Sequence, residues 1–66
     1  MKNRIRVARA EVRMTQQRLA DEAGVSRQTI NAIESGRFVP STVLALKIAR
    51  IFSRPFEELF QLDDED

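Results

Sequence analysis

The spacing of residues that start and stop helices is the feature that most constrains the fold of this chain. Thr15, Ser26 and Ser41 each precede an amphipathic stretch, and their hydroxyls can accept hydrogen bonds from the free amides of a helix's first turn. Gly24 and Gly36 suit the left-handed conformation that often ends a helix. Because these residues follow one another closely, the chain is predicted to form short helices joined by tight turns.

Apolar residues recur with the period of a helix, and no stretch alternates for long as a strand would. We therefore predict one all-α domain of five helices over residues 1–62, followed by an acidic tail at residues 63–66. Pro55 suits the first position of the last helix. In the first helix, Val12 is expected on the buried face. The predicted helices run from about Asn3 to Val12, Thr15 to Ala23, Ser26 to Ser35, Ser41 to Phe52 and Pro55 to Phe60.

Composition excludes several classes of protein. The 66 residues include no cysteine and no histidine, so we expect neither disulfides nor a metal site, and no cofactor. So short a chain leaves little room for the shaped pocket that a general acid or base needs, and we do not expect an enzyme. The start has no signal-peptide pattern and no stretch is long and apolar enough for a membrane span, which favours a cytoplasmic protein.

The charges are distributed unevenly along the chain. Lysine and arginine total 11 against 10 acidic residues, but the last four residues are all acidic. The rest of the chain therefore carries 11 basic and 6 acidic side chains, a balance that favours a polyanionic partner. The acidic tail is expected to remain in water.

The third predicted helix has an apolar stripe and an opposite face without acidic residues. Ile30 and Ile33 fall on one narrow stripe when residues are spaced by about 100°. Arg27 lies in its first turn and Arg18 in the first turn of the preceding helix, both at the positive end of a helix dipole. A nearby phosphate would make this placement favourable, since free amides at helix starts also bind anions. The opposite face carries Gln28, Asn31, Ala32 and Ser35.

These side chains suit contact with DNA bases. An amide such as Gln28 or Asn31 can pair twice with adenine, and Arg27 can pair twice with guanine, each worth about 1–3 kcal/mol of discrimination. Ala32 is small enough to let the helix approach the base edges, and it can touch a thymine methyl group. Any one of these side chains alone more often simply solvates a helix, so the prediction depends on their combination with the two-helix spacing.

The stretch MTQQRLADEAGVSRQTINAIESGRFVPS resembles the helix-turn-helix of the phage repressor and Cro family, also called the Xre family. The resemblance extends over nearly the whole chain. It implies a compact five-helix, lambda-repressor-like DNA-binding domain whose partner is double-stranded DNA. It further implies a transcriptional repressor that binds a near-palindromic operator as a homodimer, with recognition helices about 34–36 Å apart.

The resemblance also implies roles for individual residues. Arg9 and Glu34 match a pair that ties the first helix to the third in this family, and we expect this ion pair to be structural. Arg13 stands where many members have glycine, which implies an altered first turn. The implied base contacts are Arg27 and Gln28, with Asn31 and Ala32 one turn later. The implied phosphate contacts are Gln16, Gln17, Ser26, Thr29 and Arg37.

The C-terminal end carries more apolar side chains than a domain of this size is expected to bury. A core this small rarely supplies more than about 3–5 kcal/mol, so self-association is the natural support. The predicted dimer interface consists of Phe56, Leu59, Phe60 and Leu62. An alternative is an antitoxin-like or adaptor protein in which this apolar patch binds a partner protein.

Overall fold

The computed structural model describes residues 1–66 and contains five helices and one pair of very short strands. The chain is therefore mostly helical, which confirms the predicted all-α class, although the strand pair was not predicted. In chain order the elements are β1 (Lys2–Asn3), α1 (Ile5–Glu11), α2 (Gln16–Ala23), α3 (Arg27–Glu34), α4 (Thr42–Phe52), α5 (Phe56–Leu59) and β2 (Phe60–Gln61).

The central helices begin and end at the residues that the sequence indicated. The hydroxyls of Thr15, Ser26 and Ser41 accept hydrogen bonds from backbone amides three residues ahead, at 3.0, 3.1 and 3.2 Å respectively. Gly24 ends α2 with a φ of 74°, and Gly36 follows α3 with a φ of 80°. Both glycines adopt the left-handed conformation, which carries no steric penalty for them because they lack a Cβ atom.

The core lies between α2, α3 and α4 and is closed by α1 and by the C-terminal end. Ala20 is fully buried, so its small side chain lies within the core that α2 shares with α3 and α4. Pro40 is also buried and leads the chain from α3 into α4. The buried hydrophobic residues are Ile5, Ala8, Met14, Leu19, Ala20, Ala23, Ile30, Ile33, Ala45, Ile48, Ala49, Leu59 and Phe60.

The first helix is shorter than predicted at both ends. It begins at Ile5 because Lys2 and Asn3 form β1, and it ends at Glu11. Val12 follows the helix and is 53% exposed, so its prediction as a core residue is wrong. Arg13 adopts a left-handed conformation with a φ of 54°, at the position where a glycine is common in the family that the sequence resembles.

The C-terminal end differs most from the prediction. The last helix has only four residues, and Pro55 precedes it rather than forming its first residue. The following segment, β2, pairs with β1 in antiparallel register, with Lys2 opposite Gln61. The pairing brings the two ends of the chain together.

This arrangement buries two of the predicted interface residues. Leu59 is 0% and Phe60 is 3% exposed, because the turn from α5 into β2 directs both side chains into the core. Leu59 therefore exposes no surface to a partner, whereas Phe60 still lines the groove that Phe56 and Leu62 form, and the dimer interface stays a prediction. Phe56 and Leu62 remain accessible at this end of the molecule.

The acidic tail is also less free than predicted. The carboxylates of Asp63 and Asp66 each lie 2.9 Å from the α-ammonium group of Met1. Their hydrogen bonds raise the pKa of the Met1 ammonium above its ordinary value. Asp64, Glu65 and Asp66 are exposed, as expected of a solvated tail, and Asp63 is partly buried.

None of the helices has the length and apolar composition needed to cross a lipid bilayer.

Candidate nucleic-acid interface

Helix α3 is anchored on one side and open on the other. Ile30 and Ile33 are 0% and 1% exposed and hold the helix in the core. Arg27 and Gln28 are exposed, and their side chains form no hydrogen bond or ion pair within the chain. Both side chains are therefore free to bind a ligand. The outward face of the helix is formed by Arg27, Gln28, Asn31 and Ala32.

The start of α3 has the properties of an anion-binding site. No acidic residue lies in its first turn, and the same holds for α2. The Ser26 hydroxyl accepts from the Thr29 amide at 3.1 Å, and the two hydroxyls lie 2.9 Å apart. The backbone amides of Arg27 and Gln28 lie in the first turn, where no preceding helical carbonyl can accept from them, and the cap does not use them. Free amides at the positive end of a helix dipole bind phosphate.

The two glutamines at the start of α2 direct their side-chain nitrogens at the protein. Gln16 Nε2 donates to Glu34 Oε1 at 3.1 Å and to Asn31 Oδ1 at 3.3 Å. Gln17 Nε2 donates to Asp21 Oδ1 at 2.8 Å. The side chain of Gln16 thus has no donor left for the phosphate contact that the sequence suggested. The backbone amides of both residues, in the first turn of α2, are oriented toward the same open end of the helix.

Glu34 joins three helices beneath the open face. Arg9 donates from Nε to Oε2 at 2.6 Å and from Nη2 to Oε1 at 3.0 Å, forming the ion pair expected from the sequence. The side chain of Glu34 is 0% exposed. Burial alone raises the pKa of this carboxyl, but hydrogen bonds from Arg9 and Gln16 outweigh it and hold the pKa below its ordinary value. A charged, fully hydrogen-bonded carboxylate therefore fixes α3 against α1 and α2.

Arg9 also stabilises the turn before α2. Its Nη1 donates to the carbonyl of Met14 at 2.9 Å, and the Met14 amide donates to the Arg9 carbonyl at 2.9 Å. These bonds span the left-handed conformation at Arg13. One arginine thus holds both α3 and the entry to α2 in place.

Arg37 lies beside α3 immediately after its end. The amides of Arg37 and Phe38 donate to the carbonyl of Ala32 at 2.9 and 3.2 Å, which ties the loop to the helix. The Nε atom of Arg37 donates to the Ser35 hydroxyl at 3.0 Å, and the side chain is exposed. Its terminal guanidinium nitrogens remain available for a phosphate.

Sequence reasoning missed Arg6, a second arginine that pairs with Glu34. Arg6 Nε lies 3.5 Å from Glu34 Oε1, and the Arg6 side chain is 71% exposed. It precedes Arg9 by three residues, and residues at that spacing lie on the same side of a helix. That spacing was the available signal.

A second accessible surface is apolar and lies where the two ends of the chain meet. Phe56 is 36% and Leu62 is 75% exposed, and together with Met1 they line an open apolar groove. The rings of Phe56 and Phe60 stack with their centroids 5.0 Å apart, which ties the groove to the core. No group of His, Cys, Asp or Glu side chains anywhere in the chain is arranged to hold a metal ion.

Two short helices joined by a glycine turn, the second with a free polar face, form a helix-turn-helix, the class of motif that presents one helix to the major groove of DNA. Comparison with known proteins agrees with this geometry. The family model described as "Helix-turn-helix" matches residues 5–59.

Three relatives show how far the similarity extends. The chain is 46% identical to YgzD, an HTH-type transcriptional regulator of Bacillus subtilis, over the full length of both proteins. It is 50% identical to an HTH-type transcriptional regulator of Archaeoglobus fulgidus, over all of this chain and 94% of the relative. It is 47% identical to one of Methanocaldococcus jannaschii, over the full length of both.

The chain therefore belongs to the helix-turn-helix family, among its small DNA-binding transcriptional regulators. The resemblance to Xre-type regulators seen in the sequence is confirmed. The family is in general not enzymatic.

Proposed function

We propose that this protein is a sequence-specific transcriptional repressor that occupies a near-palindromic operator as a homodimer. The observation that carries the proposal is the free, acid-free face of α3, where Arg27 and Gln28 have no partners within the chain. Exposed arginine and amide side chains on a helix of this kind match the hydrogen-bonding edges of guanine and adenine in the major groove.

In this proposal the residues around the start of α3 divide into two roles. Arg27 and Gln28 contact bases, and Asn31 and Ala32 continue that face one turn later. The Arg37 guanidinium contacts phosphate, where it sets position rather than sequence preference. The remaining phosphate contacts come from the first turns of α2 and α3. In α2 they are made by the backbone amides of Gln16 and Gln17, and in α3 by the segment from Ser26 to Thr29.

The apolar groove at the chain ends supports the homodimer. Phe56 and Leu62 expose apolar surface that a monomer leaves in water, and exposed patches of this kind commonly mark interfaces. A two-fold axis at this end would place the same groove of two protomers face to face. Such a dimer presents its two α3 helices to successive major grooves, about 34–36 Å apart.

The proposed mode of action is occupancy of the operator, which excludes RNA polymerase from an overlapping promoter. The folded part of the chain consists of the helix-turn-helix formed by α2 and α3 and of the elements that pack against it. Control of activity would then lie in protein concentration, in dimerisation or in a partner.

Selection of bound sequences from a random pool of duplex DNA tests this proposal. We expect a palindromic consensus with half-sites about one helical turn apart, and sedimentation of the free protein as a dimer at micromolar concentration. A pool that shows no enrichment would contradict sequence-specific binding. A monomer, both free and on enriched DNA, would contradict the symmetric mode.

A second candidate function rests on the same apolar groove. An antitoxin-like or adaptor protein would use Phe56 and Leu62 to hold a different protein instead of a second copy. The two functions differ in the behaviour of the purified chain. A well-behaved homodimer supports the repressor, whereas a chain that self-associates without limit until a partner is added supports the adaptor.

A further inference from the structure

A chain of hydrogen bonds starting at Glu34 fixes the direction in which the Asn31 amide faces. The Glu34 carboxylate is charged and therefore only accepts hydrogen bonds. It receives two from Arg9 and one from Gln16. Gln16 must present its NH2 group to this carboxylate, because its carbonyl oxygen would face another acceptor.

The orientation of Gln16 in turn decides the orientation of Asn31. The same Gln16 nitrogen lies 3.3 Å from Asn31 Oδ1, and its second proton is used there. If the Asn31 amide were reversed, two NH2 groups would face each other without an acceptor. The Asn31 oxygen is therefore held toward α2. Its Nδ2 group has no partner in the chain, and the residue lies on the exposed side of α3, so we infer that this group is the one presented to a ligand.

We propose that Asn31 reads its base as a hydrogen-bond donor and that Gln16 sets this polarity. This inference rests on the proposed function, since it requires α3 to lie in the major groove. Guanine, adenine and thymine each offer an acceptor on their major-groove edge, whereas cytosine offers only the donor N4. Asn31 thus disfavours cytosine at the base that it faces.

Gln28 provides the contrast within the same helix. Its amide is exposed and has no partner in the chain, so it can turn either its oxygen or its nitrogen toward DNA. Asn31 lacks that freedom because reversing it breaks its bond with Gln16. Gln16 is therefore a positioning residue: both protons of its NH2 group are spent on the protein, and it acts on specificity through Asn31.

The test compares two matched variants, Gln16→Met and Gln17→Met. Both remove a side-chain amide from the first turn of α2 and keep similar volume, but the Gln17 amide contacts only Asp21. The base facing Asn31 is first identified as the position whose preference is lost in Asn31→Ala. Affinity is then measured for four duplexes that differ only at that base pair.

We expect the wild-type protein and Gln17→Met to bind the cytosine duplex about 10-fold more weakly than the best duplex. In Gln16→Met the Asn31 amide can reverse, and the penalty should fall to about threefold or less. An equal cytosine penalty in Gln16→Met and wild type would overturn the proposal. So would full tolerance of cytosine by the wild type, or an Asn31→Ala variant that changes no base preference.

The free wild-type protein provides a second measurement that does not depend on a variant folding. Hydrogen exchange of side-chain amides should be slower at Gln16 Nε2 than at Gln28 Nε2, because only the former is bonded on both protons. Equal rates would overturn the assigned polarity. Absence of any selected DNA sequence would instead overturn the proposed function, so the two failures are distinguishable.

Discussion

The helix-turn-helix and the end formed by the two chain termini are built in different ways. In the helix-turn-helix, each boundary is set by a residue within a few positions of it, such as Ser26 or Gly24. At the terminal end, Lys2 pairs with Gln61, and the Arg4 amide donates to the Leu59 carbonyl at 2.9 Å. Local chemistry therefore specifies the helix boundaries of the helix-turn-helix, and long-range pairing specifies the terminal end.

The two regions also use charge differently. The Glu34 carboxylate is buried and accepts hydrogen bonds on both oxygens, so solvent screens its ion pair with Arg9 only weakly. The Met1 ammonium and its partners Asp63 and Asp66 lie at the surface, where water and salt screen them. The comparison indicates that the charges beneath α3 fix the fold, whereas those at the termini only secure its edge.

The largest expected effect is that of Arg9→Ala. The change leaves the Glu34 carboxylate buried without its main partner, and removal of one member of such a pair costs about 3–5 kcal/mol. Urea unfolding measures this loss. The control is Arg18→Ala, which removes an exposed pair with Glu22 on α2 and should cost less than about 0.5 kcal/mol. Equal losses in the two variants would show that burial of the Arg9–Glu34 pair adds nothing to the stability of the fold.

The same carboxylate gives the helix-turn-helix an acid-side pH dependence. Because the folded pKa of Glu34 lies below its ordinary value of 4.5, its contribution is complete above that pH and is lost as pH falls through the folded pKa. Glu34→Gln should therefore show a smaller decline in unfolding free energy between neutral and acid pH than the wild type. A parallel decline in both proteins would contradict this role.

The next largest effect separates two leucines at the terminal end. Leu59→Ala opens a cavity in the core and should cost about 2–5 kcal/mol. Leu62→Ala removes an exposed side chain, so it should leave the stability of the protomer nearly unchanged and weaken the dimer. Calorimetry and sedimentation measure the two quantities. Loss of dimerisation without loss of stability in Leu59→Ala would restore the interface predicted from sequence.

A smaller effect is expected from the free side chains of the helix-turn-helix. Gln28→Ala should relax one base position, worth about 1–3 kcal/mol of discrimination, while changing stability by less than about 0.5 kcal/mol. Arg37→Ala should weaken binding to all sequences alike and reduce the salt slope by about one unit. Selection and salt titration of both variants provide the measurement. An unchanged consensus in Gln28→Ala would refute its assignment as a base contact.

The smallest effect is expected at the N-terminus. The pKa of the Met1 ammonium is raised above 8.0, so its contribution is present below that pH and is lost as pH rises through the folded value. Between neutral pH and about pH 10, amide exchange at Lys2 and Asn3 should become faster relative to a form with an acetylated N-terminus. Identical pH profiles for the two forms would show that the ammonium does not secure β1.

The limits of the sequence prediction follow from the same comparison. Thr15, Gly24 and Ser26 could be identified because capping and left-handed turns depend on neighbouring residues. The burial of Phe60 could not, because it depends on β2 pairing with a strand at the other end of the chain. Two-residue strands also carry too little alternation to be recognised in a sequence.

The candidate site follows the same division. The pairing of Arg9 with Glu34 was expected because the resemblance implied it and because both residues lie beside core positions of their helices. The bond from Gln16 to Asn31 could not be expected, since it depends on the angle at which α2 and α3 meet. The sequence thus identifies which side chains are polar and outward, whereas the structure identifies which of them are already engaged.

The central claim is that α3 is the surface that meets DNA, and titration of labelled protein with its selected duplex tests it most directly by NMR. We expect the largest shifts at the amides from Arg27 to Ala32 and at Arg37, with Leu62 and the acidic tail nearly unchanged. Large shifts confined to the terminal end, with the resonances of α3 unmoved, would contradict the account.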